Sequence, residues 1–204
     1  MDNQGRKEKI LAHAAALGTS GAKIIDPGQV PVDNKFVGFC KHCPGYGSSM
    51  SCPPNVKGPD WFREYLKTFD QVLVFKFDVP TPVLLSDDRH QVTRLIHETA
   101  AGIEVFATAN GYARAHGFAG GSCKQVFCGQ YLECRVLSGD GLCRNPDLAR
   151  QSMSGMGVDF MKLTRILGWK METITRATDS EKISMGMMVG MVLLEEDRGE
   201  PLHG

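Results

Sequence analysis

The chain has 204 residues, with 23 Lys plus Arg against 23 Asp plus Glu, so its formal net charge is zero. No net field draws it to phosphate, which argues against nucleic acid as a partner. Hydrophobic residues make up 42% and charged residues 23%, ordinary for a globular protein, and no apolar run reaches bilayer-spanning length, so no membrane partner is expected.

Polar residues 1–9 lead into a short alanine-rich stretch that lacks a signal-peptide core, and a cytoplasmic location is expected. Ile10, Leu11, Ala14 and Leu17 share one side of an amphipathic helix over 6–17, stopped by Gly18-Thr19-Ser20-Gly21. Residues 22–26 read as a short strand ended by Pro27-Gly28. A loop rich in Gly, Ser and Pro fills 38–58. Pro59 then opens a helix with Trp61, Phe62, Tyr65, Leu66 and Phe69 at helical spacing. Gln71 to Val79 carries Val72, Leu73, Val74, Phe75 and Phe77, a buried strand in length and composition, closed by Pro80-Thr81-Pro82.

Ser86 suits an N-cap, with Asp87 and Asp88 behind it. The stripe Val92, Leu95, Ile96, Thr99, Ile103, Phe106, Asn110 and Ala113 predicts a long helix over 87–115. Gly117 to Gly121 leads into a second loop, 122–146. A helix over 159–167 follows, begun by Asp159 and closed by Gly168, and residues 169–175 and 183–194 read as two final strands. Helices and strands mix without a regular βαβ repeat. The expectation is an α+β fold: a single domain over 1–204, a mixed sheet, a long central helix and two cysteine-rich metal- or cluster-binding loops. Eight of the ten methionines lie in the last 52 residues and read as flexible core filling.

The chemistry-bearing feature is seven cysteines in two groups, Cys40, Cys43 and Cys52, then Cys123, Cys128, Cys134 and Cys143. Their odd number and the expected compartment disfavour complete disulfide pairing and favour metal or cluster ligation. A structural zinc site usually shows two CxxC-like knuckles. Here only Cys40–Cys43 forms one, while four, five and eight residues separate the later thiols. Looser intervals suit an iron–sulfur cluster, whose irons take their ligands from diverging directions. Four late thiols can saturate one [4Fe-4S] cluster, and three early thiols leave one iron of a second cluster open. The alternatives are a single shared site and zinc. His42 is a candidate fourth ligand of the first group. His13, His90, His97 and His116 read as solvated or helix-surface residues, and His203 as part of a frayed tail.

Two stretches resemble a known family. Phe39-Cys40-Lys41-His42-Cys43-Pro44-Gly45-Tyr46-Gly47, continuing to Cys52-Pro53-Pro54, is similar to the first signature of the bacterial and archaeal "predicted metal-binding protein" family, a domain of unknown function. The run from Gly121-Ser122-Cys123 to Cys143-Arg144-Asn145-Pro146, then Ala149-Arg150-Gln151-Ser152-Met153 and Gly157-Val158-Asp159, resembles its cysteine loop and the elements after it. The similarity covers about residues 20–195. The chain departs from the family's CxxCxxC in the second group, and Gln151 stands where the family has proline. The resemblance implies metal binding and brings no reaction with it.

Three functions fit. One is a cytoplasmic protein carrying one or two [4Fe-4S] clusters for electron transfer to, or activation of, a partner enzyme. Another is an enzyme using an open cluster at Cys40, Cys43 and Cys52, with Tyr46, Lys41 or Arg150 turned into an adjoining pocket. The third is a zinc-stabilised adaptor. Redox partner and small-molecule substrate both stay open.

Overall fold

The computed structural model describes residues 3–197; His203 lies outside them. In chain order the elements are α1 (Asn3–Ala16), β1 (Gly21–Ile25), a 3-10 turn at Pro27–Gln29, α2 (Lys35–Cys40), α3 (Gly58–Leu66), β2 (Gln71–Pro80), α4 (Thr81–Leu85) and α5 (Arg89–Ala109). Then come β3 (Tyr112–Ala119), α6 (Cys123–Phe127), β4 (Gln151–Ser152), α7 (Phe160–Ile166) and β5 (Met185–Glu196). The strands make one mixed sheet in the order β1-β2-β5-β3-β4, antiparallel except where β4 pairs parallel with β3.

The spine is β2 against β5, in register from Gln71↔Leu194 to Pro80↔Met185. Side chains alternate between faces along a strand. Val72 and Val74 accordingly join Phe62 and Leu66 of α3 and Leu163 of α7, together with Phe118, Met153, Met156 and Met191. Leu73, Phe75 and Phe77 join Ile10 and Ala14 of α1 and Ile96, Ala100 and Ile103 of α5. Helices cover both faces, which is why β2 reads as a continuous apolar run without polar alternation. Gly190 on β5 pairs with Phe75, whose ring occupies the space a side chain there would need.

The long helix ends earlier than its stripe suggests. Asn110 Nδ2 donates back to Phe106 O, Gly111 takes a left-handed φ of 92°, and the chain leaves as β3. Ala113, the last member of the stripe, therefore belongs to a strand. Ser86 does not cap the helix directly; its Oγ accepts the Asp88 N–H one turn before the helix starts at Arg89. Asp159 does cap α7, accepting the Lys162 N–H at 3.0 Å. Residues 169–175 form no strand, because β2 and β3 already occupy both edges of β5.

A buried polar clamp holds the segment before β4. Arg150, only 8% exposed, binds Glu104 of α5 through both carboxylate oxygens, at 3.0 and 3.1 Å. Its guanidinium also donates to the carbonyls of Pro146, Asp147 and Ala149. Glu104 in turn accepts the Gly117 N–H of β3. The Arg150 N–H donates to His97 Nδ1 at 3.1 Å. His97 is thus wholly buried on α5, and His116 of β3 hydrogen-bonds Tyr65 at 2.8 Å, which corrects the reading of both as surface residues.

Burial first, and then the Arg150 guanidinium, push the His97 pKa down to about 4 from its ordinary 6.5. The unfolded chain binds this proton below 6.5 and the folded chain only near 4. The neutral ring's contribution is therefore intact above pH 6.5 and lost as pH falls from 6.5 towards 4, on the order of 3 kcal/mol in all. Urea unfolding across this window should show that slope, and His97→Asn should flatten it. An unchanged slope in the variant would contradict the assignment.

Candidate metal centre

The first cysteine group sits on a chain of tight turns. Cys40 is the last residue of α2 and Cys43 follows one turn on, its N–H donating to Cys40 O at 3.0 Å. The loop then folds back: Gly47, at φ 70°, donates to Pro53 O at 2.8 Å, and Asn55 Nδ2 donates to Ser49 O at 3.0 Å. This brings Cys40, Cys43 and Cys52 onto the wall of one cavity of about 290 Å³. Cys40 and Cys52 are buried and Cys43 is exposed. Burial, and then the neighbouring Cys43 and Cys52, raise the Cys40 pKa. Gly45 N–H donates to Cys43 Sγ at 3.4 Å. Ser122 lines the same cavity, and its Oγ is buried with no hydrogen-bond partner.

The second group begins where β3 ends. Gly121, at φ 90°, lies so close to Thr93 of α5 that a Cβ would come within 2.5 Å of its methyl group. Cys123 starts α6 and Cys128 ends it. Cys134 and Cys143 come from the long loop that follows. All four thiols line a narrow cavity of about 20 Å³, together with Lys124, Arg135, Arg144 and Asn145. Asn145 donates to two of them, its backbone N–H to Cys143 Sγ at 3.4 Å and its Nδ2 to Cys128 Sγ at 3.2 Å. Burial raises the Cys134 pKa, but the N–H groups of Met50, Leu137 and Val136, with Arg144, outweigh it and the net shift is down.

The two groups meet at one residue. Ser51 Oγ lies 2.9 Å from Cys123 Sγ, 3.0 Å from Ser49 Oγ and 4.0 Å from Cys52 Sγ. Its carbonyl accepts the Ser152 N–H of β4 at 2.9 Å, so the first loop is fixed to the sheet edge at this residue. Burial raises the Cys123 pKa; the Ser51 and Ser49 hydroxyls oppose the shift, and the neighbouring Cys52 and Cys143 reinforce it.

The structure therefore gathers the sequence's candidates three and four at a time, around two adjoining cavities. Among the described residues, no three Cys, His, Asp or Glu side chains form a group able to hold a metal ion; the thiols ring cavities and do not close on a point. His42 and Lys41 are exposed and line neither cavity, Arg150 is engaged in its clamp, and Tyr46 does line the first cavity. Sequence reasoning missed Ser51, Ser122 and Asn145. Ser51 and Ser122 adjoin cysteines, and Asn145 sits in Cys143-Arg144-Asn145-Pro146, but side-chain direction is invisible in spacing.

One feature of the first cavity leaves room for a bound group: Ser122 Oγ is among seven buried side-chain polar atoms of the described residues that have no hydrogen-bond partner.

No curated protein and no solved structure matched the chain. A family model described as "Predicted metal-binding protein" matches residues 23–194. That span takes in all seven thiols and nearly all of the sheet, from Lys23 of β1 to Leu194 of β5. The chain belongs to this predicted metal-binding protein family.

Proposed function

We propose that this is an iron–sulfur protein carrying two [4Fe-4S] clusters, one on Cys123, Cys128, Cys134 and Cys143 and one on Cys40, Cys43 and Cys52, which transfers electrons to, or activates, a partner enzyme. The observation that carries this reading is the gathering of four and three thiols around two cavities, with Ser51 Oγ between Cys123 of one group and Cys52 of the other. A single tetrahedral ion needs its sulfurs within about 2.3 Å of one point. A cluster meets each thiol at a different iron, so its thiols need not close on one point; the 20 Å³ beside the later four has room for about one water, so the loop bearing Cys134 and Cys143 has to open to seat a cluster there. When bound, such clusters supply one-electron transfer, and an iron without a thiolate supplies an open coordination position.

The residues present fit these roles. Lys124, Arg135 and Arg144 offset the negative charge of a four-thiolate site, and Asn145 orients two of its sulfurs. The loop bearing Cys134 and Cys143 turns Tyr131, Leu132, Leu137 and Leu142 outward, with Leu132 fully exposed, a surface suited to a transient redox partner. All seven cysteines are free, which suits a reducing, cytoplasmic compartment. No helix among the described residues is long and apolar enough to cross a membrane. The open cavity at the three-thiol site, with Tyr46 in its wall, favours a second reading in which that site also handles a small substrate.

Anaerobically purified protein should be brown and contain about eight irons and eight sulfides per chain. Cys52→Ser should remove about half of each and leave the second site intact. Colourless protein holding zinc would sink the proposal, and about four irons lost entirely in the variant would mean one shared cluster.

Hydrogen bonds to cluster sulfurs tune reduction potential by favouring the more negative, reduced state. Ser51→Ala removes the hydroxyl facing Cys123. One of the two reduction potentials should fall by on the order of tens of millivolts, while iron content holds. Redox titration followed by electron paramagnetic resonance measures this.

Gly- and Pro-rich loops around clustered thiols hold little apolar material, so the bound group orders them. Chelation or air exposure should raise hydrogen exchange in 38–58 and 121–146 before α5 responds. Equal protection with and without metal would count against it.

A further inference from the structure

The cavity beside Cys40, Cys43 and Cys52 is built differently from the one beside the other four thiols. At about 290 Å³ it is more than ten times larger than the 20 Å³ of its neighbour, and it opens to solvent past Phe39, which is 69% exposed. Phe36, Phe39, Tyr46 and Phe160 supply aromatic walls. The three thiols share its wall, and the other polar side chains there are the hydroxyls of Tyr46, Ser122, Ser152 and Ser154, so no lysine, arginine, histidine or carboxylate lines it. By contrast, Lys124, Arg135 and Arg144 line the four-thiol cavity.

Volume, lining and charge together specify a ligand. Small-molecule sites are mostly apolar concavities of about 300 Å³ or more with a few placed polar groups, and an apolar cavity of about 150 Å³ already holds a benzene ring. A charged ligand would lose its hydration here without finding a counter-charge. Among the residues lining this cavity, the buried polar atom without a partner is Ser122 Oγ, on a residue 2% exposed. It lies beneath Gly45, where a Cβ would come within 3.1 Å of that oxygen and 3.7 Å of Cys43 Sγ. A glycine at this position leaves the approach to both atoms clear.

We propose that this cavity binds a small uncharged molecule of about one aromatic ring, its apolar body against Phe39, Tyr46 and Phe160 and its single polar group directed to Ser122. The proposal names the substrate class for the open three-thiol site. It rests on the iron–sulfur reading for the chemistry that follows binding, and not for the binding itself.

The test titrates the anaerobically purified full chain with phenol, toluene and benzoate, followed by saturation-transfer NMR, with iron determined on the same sample. Phenol should bind saturably, toluene about five- to tenfold more weakly for want of one hydrogen bond, and benzoate not measurably. Ser122→Ala should remove the preference for phenol over toluene while leaving toluene binding unchanged. Phe39→Ala, at an exposed wall position, should weaken both. Full iron content with no saturable phenol binding overturns the pocket and spares the clusters. Phenol binding without iron supports the pocket and sinks the clusters. Equal affinity for all three probes, or a preference that survives in Ser122→Ala, overturns the proposal.

Discussion

The arrangement of the thiols depends on one buried ion pair. Arg150 and Glu104 neutralise each other where neither could stand alone, since leaving one buried charge unpaired costs about 3–5 kcal/mol. Because Glu104 also holds the Gly117 N–H and Arg150 holds three carbonyls, the pair joins α5, β3 and the end of the second cysteine loop. The next two residues, Gln151 and Ser152, are thereby delivered to the edge of β3 as β4. Ser152 then fixes Ser51, and Ser51 faces Cys123. A charge pair with no sulfur among its hydrogen-bond partners thus helps to set the relative position of two loops that contain little regular structure.

Within those loops electrostatics runs against packing. Burial disfavours thiolates, and neighbouring thiolates disfavour one another, yet ligation requires them. The chain relieves part of this conflict with hydroxyls from Ser49 and Ser51, the Asn145 amide, and Arg144. The relief is uneven: Cys134 is shifted towards the thiolate, whereas Cys40 and Cys123 are shifted away from it. On the proposed reading a bound cation would supply the remainder, and site and loop order would then be two aspects of one equilibrium.

Much of the scaffold was legible because its signals are local. β2 shows as an apolar run, α7 is announced by Asp159, and α1 carries its stripe through Ile10 and Ala14. The methionine reading fits in part: Met153, Met156 and Met191 are in the core, whereas Met161 and Met185 are exposed. The failures are tertiary. A helical stripe continued by chance through Asn110 and Ala113, and only the turn at Gly111 marks where β3 begins. Two-residue β4 exists because Arg150 places it, and no periodicity reports that. His97 and His116 sit at positions where spacing cannot tell a buried ring from an exposed one. The division of the cysteines into three and four was readable from their order, but the meeting of both groups at Ser51 was not.

The loop between Cys134 and Cys143 closes on itself. Arg135 Nε and the Asp140 N–H each donate across it, to Asp140 O at 2.9 Å and to Arg135 O at 3.1 Å, and Gly139 and Gly141 take left-handed turns there. The neck does not isolate its tip, because the Val136 and Leu137 N–H groups turn back onto Cys134 and the Ser138 N–H onto its carbonyl. Lengthening the chain between the neck residues would therefore pull first on that cysteine, which makes this exposed loop a poor place for an insert.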